Sequence, residues 1–240
     1  MSSPPSGADM QPLIATDLQL VRLLRLASPM LPVGAFSYSQ GLESAVQLGW
    51  VSDEASVRTW LGDVLMFSVG TMEAPVWCRL YRAFTAENVA ALADWNDRLL
   101  SSRETQELRA ETAQMGHSLR RLMEDSHEFG AGAMMALRAI REVAFATTFS
   151  VACADWHIAE RAGLTAYLWT WLENQVAAAM KIVPLGQLAG QRLLAALQPQ
   201  LVDVARQALS ADDEDLSSLA PGLAIASCLH ETQYSRLFRS

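Results

Sequence analysis

The side chains best suited to hold a transition metal are four histidines, His117, His127, His157 and His230, and three cysteines, Cys78, Cys153 and Cys228. A zinc or nickel site needs three or four such ligands converging, and sequence can seed one by spacing them at i,i+3, i,i+4 or as CxxC. No two histidines stand at helical spacing, and the cysteines lie far apart. Asp155-Trp156-His157 and His127-Glu128 are the nearest mixed clusters, and His230-Glu231 reads as a weak surface metal contact. No metal site and no cofactor is assigned. Nucleophilic chemistry fares no better. Gly34-Ala35-Phe36-Ser37-Tyr38 superficially resembles a serine elbow, but GxSxG is absent and no strand precedes it. The acidic run Asp212-Asp213-Glu214-Asp215 suggests magnesium-dependent enzymology as an alternative function. Its flanks, Ser210-Ala211 and Leu216-Ser217-Ser218, have instead the composition of a solvated loop between helices. Walker A and GxGxxG patterns are missing too, so no nucleotide cradle and no catalytic residue is assigned.

Three segments have compositions better suited to meeting another surface. In Pro29 to Glu43, PMLPVGAFSYSQGLE, Gly34 and Gly41 allow backbone geometry closed to other residues, while Phe36 and Tyr38 stand in a proline-bounded loop. In Lys181 to Gln191, KIVPLGQLAGQ, Gly186 and Gly190 are four apart, so another backbone could approach, and Gln187 and Gln191 share a neighbouring stripe. Lys181 is the sole lysine. The end of the chain, Gln233 to Ser240, mixes Tyr234, Arg236, Leu237, Phe238 and Arg239, the residue types favoured at binding hot spots. Such a terminus is expected to be slack until a partner orders it, so that its removal leaves helicity and melting nearly unchanged.

The elements that position these segments read as helices throughout. Residues 1–15 are rich in Ser, Pro and Gly and are expected to be disordered. Thr16 to Gln19 fits a capping box, Ser52-Asp53-Glu54 opens a further helix, and Ser101 with Glu104 makes a second capping-box match. Leu108, Met115, Leu119 and Leu122 share one face, with Arg103, Glu107 and Glu111 at i,i+4 spacing on another. Leu164, Tyr167, Leu168, Trp171, Leu172, Val176 and Ala179 form the cleanest apolar stripe. Val143 to Ala154 is too short to cross a bilayer and reads as a buried helix. Pro184 ends one helix and suits the first turn of the next, and Pro199 and Pro221 mark similar restarts. No hairpin turn or alternating β-branched run interrupts this pattern. The expected fold is all-α, a single domain of about eight to ten packed helices, with 16–230 as the domain and 231–240 as a partner-binding tail.

Composition bounds the partners. The chain has 240 residues, 51% of them hydrophobic, enough apolar material for a sizeable core. A net charge of −8 argues against nucleic acid or an anionic membrane, which need a concentrated positive field. The N-terminus has no basic or apolar signal region and the cysteines no disulfide spacing, so a cytoplasmic protein is expected.

Taken together, SPMLPVGAFSYSQGLE, KIVPLGQLAGQ and QYSRLFRS, in this order, resemble the UreF family of urease accessory proteins, and the similarity runs from Leu18 to the end. The resemblance implies a helical homodimer that binds the UreD (UreH) accessory protein, recruits the GTPase UreG and docks on apo-urease to promote nickel insertion. It implies an adaptor rather than an enzyme. By position, Glu43 and Lys181 match the face toward the GTPase. Tyr234, Arg236, Leu237, Phe238 and Arg239 match the UreD contact. Tyr38, with Gly34 and Phe36 of the first motif and Gln187 of the second, belongs to one face or the other. A purely structural alternative is a buried ion pair between Glu43 and Lys181.

Overall fold

The computed structural model describes residues 16–240, so the N-terminal segment 1–15 and the disorder expected of it lie outside the described residues. Among the described residues the architecture is all-helical. The helices are α1 (Asp17–Leu26), α2 (Leu42–Gln47), α3 (Glu54–Val64), α4 (Ala74–Thr85), α5 (Val89–Ser101), α6 (Gln106–Ser126), α7 (Ala131–Ala139), α8 (Phe145–Asp155), α9 (Glu160–Ile182), α10 (Gln187–Ser210) and α11 (Pro221–Glu231). A π-helical stretch, Leu65–Glu73, joins α3 to α4 without a break, so these make ten separate rods, within the expected range.

Local chemistry accounts for several boundaries. The Thr16 hydroxyl accepts from the Gln19 backbone N–H while the Gln19 side chain accepts from that of Thr16, the reciprocal cap expected there. Asp53 caps α3 through the Ser56 N–H at 2.8 Å. The third expected start is displaced. Ser101 is the last residue of α5, and the chain re-enters helix only after Thr105, whose hydroxyl accepts from the Leu108 N–H. Nor does Pro199 restart a helix, because it lies inside α10. Its missing N–H and the carbonyl one turn back, at Ala195, fall on the exposed side, where water can take the freed acceptor. Pro184 sits in the link between α9 and α10 rather than in a first turn.

The core is organised around α8. Every side chain from Phe145 to Ala154 is buried, and α8 packs against α4, α6 and α9. Its small residues let those helices close in, and the Ser150 hydroxyl donates to the Thr147 carbonyl one turn back, so burying it leaves no unmet donor. Thr147 and the Ala144 N–H both donate to Asn96 Oδ1 from α5, at 2.8 and 2.9 Å, which ties α8 to α5. The expected stripe from Leu164 to Ala179 along α9 is buried at all seven positions. Cys78 and Cys153 are buried and Cys228 is exposed, all three as free thiols, and burial pushes the Cys78 thiol up to about 12. Among the described residues no helix is long and apolar enough to cross a membrane.

Candidate partner-docking site

The first motif forms an irregular connection from α1 to α2. Gly34 (φ +79°) opens a short 3-10 turn, Ala35–Ser37, and Gly41 (φ +75°) caps α2, so both glycines adopt the left-handed geometry expected of them. Gly41 is also a close approach, since a Cβ there would stand 3.1 Å from the Ser227 backbone nitrogen of α11. The two aromatics between these glycines part company. Phe36 is 70% exposed, whereas Tyr38 is buried. Gln40, itself at φ +51°, points inward, where its side chain accepts from the Trp171 indole at 2.7 Å and donates to Glu111 at 2.8 Å.

The end of the chain docks on this connection. The Arg239 N–H donates to the Ser37 carbonyl at 2.8 Å, and the Ser39 N–H and hydroxyl both donate to the Ser240 backbone oxygen, at 2.9 and 2.6 Å. In the first turn of α2, the Glu43 carboxylate accepts from two successive tail amides, Leu237 at 2.7 Å and Phe238 at 2.9 Å. Arg236 pairs with Glu107 of α6, and the Ser240 hydroxyl donates to Glu111 at 2.7 Å. Phe238 is 5% exposed and packs into the core, with the Lys181 ammonium 5.4 Å from its ring centre.

These contacts, with the surroundings of Gly190, correct five expectations. The tail is not slack in the free chain, because the buried Glu43 of α2 accepts from its backbone and the half-buried Glu107 of α6 pairs with Arg236. Glu43 is no surface charge, since it is 8% exposed and turned toward the tail, and it forms no ion pair with Lys181, which is exposed and lies over the Phe238 ring. His230 is no surface ligand either. It is fully buried, with Nδ1 2.6 Å from Glu107 and Nε2 3.4 Å from Glu43. Gly190 meets the Met180 side chain rather than another backbone, and Gly186 faces open space, with Gln187 exposed beside it.

Of the positions singled out in the sequence, Tyr38, Glu43, Lys181 and the tail therefore share one place in the fold. Tyr234, Leu237 and Arg239 are exposed there, and Arg239 reaches the Tyr38 hydroxyl. Phe36 lies apart, at the rim of a cavity of about 340 Å³ walled by Leu26, Val33, Met115 and Trp171. At the polar end of that cavity Arg103 donates to Glu73 at 2.5 Å, and the Tyr167 hydroxyl donates to the other Glu73 oxygen. Glu111 lines the same cavity.

Sequence reading missed the tail's anchors, Ser39, Glu107, Glu111 and buried His230. The signal was present as the i,i+4 row Arg103, Glu107, Glu111, which locally reads as a solvated face. Here that face lies beneath the tail and the first motif, and Glu111 is 4% exposed. Burial raises Glu111 from its ordinary 4.5 to about 7, against its bonds from Ser240 and Gln40 and the attraction of Arg103. A carboxylic acid whose folded pKa is raised binds more protons folded than unfolded between those values, so folding loses stability as pH rises from 4.5 to about 7. The Glu111→Gln variant, which mimics the neutral acid, is expected to lack that loss. It should exceed the parent by up to about 3 kcal/mol above pH 7 and converge with it near pH 4.5, in urea unfolding across this range. Equal slopes for both proteins would contradict it.

Among the described residues no group of three or more His, Cys, Asp or Glu side chains is arranged to hold a metal ion. The arrangement offers hydrogen-bonding and apolar contacts on a fixed chain end, which is recognition chemistry.

Comparison with known proteins gives one answer. The profile of the UreF family matches residues 51–198. The urease accessory protein UreF of Azoarcus sp. (strain BH72) is 52% identical over 225 residues, covering 93% of this chain and 96% of that protein. Its counterpart in Dechloromonas aromatica (strain RCB) is 50% identical, covering 94% of this chain and 99% of that protein. The bifunctional urease accessory protein UreEF of Bordetella bronchiseptica is 47% identical, covering all of this chain and 56% of that protein.

Proposed function

Because the chain belongs to the UreF family of urease accessory proteins, we propose that it is a non-catalytic adaptor that binds UreD (UreH), recruits the GTPase UreG and brings both to apo-urease for nickel insertion. In this reading it works as a cytoplasmic homodimer and couples GTP hydrolysis in UreG to nickel delivery. The observation that carries the reading is identity near 50% along almost the whole chain with proteins named as urease accessory proteins. The name of the bifunctional relative, UreEF, supports work beside a second accessory function. The exposed Tyr234, Leu237 and Arg239, with Arg236, supply anchors suited to the UreD contact. Lys181, exposed and paired with no carboxylate among the described residues, is the candidate for the face toward UreG.

Co-purification with UreD and UreG, followed by nickel-dependent urease activation with and without this chain, tests the proposal. Both partners should be retained and activation should require the chain. The Lys181→Ala variant should keep its melting point and UreD binding, because an exposed charge contributes little to stability, while losing UreG recruitment. Urease activated equally well in the absence of the chain would reject the reading.

A further inference from the structure

Glu43 is a buried carboxylate whose acceptor positions are taken by the chain's own end. Its two oxygens receive the N–H groups of successive residues, Leu237 and Phe238, and His230 lies behind at 3.4 Å. Charge-assisted bonds of this kind, in a site shielded from water, are the strong ones, and they fix direction as well as distance. With both amides pinned, the neighbouring side chains have no choice of face. Phe238 turns into the core, while Leu237, 64% exposed, and Arg239 turn out. Arg236 is tied down separately by Glu107, and the Lys181 ammonium closes over the Phe238 ring at the edge of the same patch.

We propose that Glu43 is a positioning residue for the tail: its carboxylate builds residues 234–239 into a preformed cationic and apolar ridge that fits a partner surface with an acidic rim and an apolar centre. This rests on the reading of the tail as the UreD contact. On a chain of net charge −8, Arg236 and Arg239 both lie on this one segment, and the exposed Arg239 pairs with no carboxylate among the described residues, which assigns the acidic partner by charge complementarity. Exposed Tyr234 and Leu237 supply the apolar centre. Holding these anchors in place before contact removes an ordering cost that a free tail would bear on binding. Glu43 touches no partner in this arrangement, and its effect on assembly passes through the tail.

The test uses the full chain and immobilised UreD. Glu43→Gln replaces one acceptor oxygen by a donor. Leu237→Pro removes one amide donor and leaves the carboxylate in place, so it serves if Glu43→Gln folds poorly. Both should keep the parent's helical circular dichroism, raise hydrogen exchange of the Phe238 amide about tenfold or more, and weaken UreD binding by about ten- to a hundredfold. Combining Glu43→Gln with removal of Gln233–Ser240 should weaken binding no further than the removal alone. Arg239→Glu should weaken it as well, and the parent's affinity should fall with added salt. Affinity unchanged in a variant whose tail amide exchanges freely overturns the proposal, as does affinity lost while that amide stays protected. Should removal of the tail itself leave UreD binding intact, the assignment of the tail to UreD falls, a separate and recognisable result.

Discussion

Replacing Arg103 by methionine is expected to lower the free energy of unfolding by about 3–5 kcal/mol, because it strands the Glu73 carboxylate in the interior without its counter-charge. Both partners are well shielded, with 13% and 8% of their side chains exposed, so solvent does little to screen the loss. Glu73 closes the π-helical stretch, Arg103 lies in the link between α5 and α6, and Tyr167 belongs to α9. The network therefore ties together three parts of the chain remote in sequence. Arg103 also draws Glu111 down toward ionisation, so its loss should push Glu111 higher still. The matching variant, Glu73→Gln with Arg103→Met, carries no stranded charge and keeps an acceptor for the Tyr167 hydroxyl. It should recover most of the lost stability, and the double-mutant cycle should return a coupling of about 2 kcal/mol or more. Urea unfolding of the four proteins measures this. A single-variant loss below about 1 kcal/mol would mean that the pair is not shielded as described.

Removing Gln233–Ser240 is the second large effect, and it reverses what an unanchored terminus would do. Burial of the Phe238 ring contributes about 2–3 kcal/mol. Loss of the Leu237 and Phe238 amides also removes both charge-assisted hydrogen bonds to Glu43. Together these should cost about 3–5 kcal/mol, which for a domain of this size lowers the melting midpoint by about 10 °C. UreD binding should be abolished at the same time. Melting unchanged from the parent would mean that the tail is undocked in solution. A second truncation, stopping after Phe238, separates the contributions. It keeps the ring and the Glu43 clasp but loses the Ser39 and Glu111 bonds to Ser240, so it should recover most of the stability. Because Arg239 goes with it, UreD binding should recover only in part.

What sequence alone determined here is the part governed by neighbours within a few turns. The caps at Thr16 and Asp53, the buried run of α8 and the apolar stripe of α9 all lie where side-chain period and capping chemistry put them. The left-handed turns at Gly34 and Gly41 follow from the lack of a Cβ. The three unusual segments were legible too, because aromatics and glycines between prolines, a lone lysine and an arginine-rich aromatic end are poor material for packing alone. Only the tertiary structure decided what those segments touch. Whether the row Arg103, Glu107, Glu111 faces water or an interior depends on the tail and the first motif folding over it, from residues 129 positions later for Ser240 and 71 earlier for Gln40. Long separations likewise divide Glu43 from the amides that cover it, 194 and 195 positions, and His230 from Glu107 and Glu43, 123 and 187. Pro199 is tolerated because its side of α10 is solvated, a property of packing rather than of the proline. Helical pattern is written in steps of three and four residues. The burial of a charge is set by whichever distant segment covers it, and no local pattern names that segment.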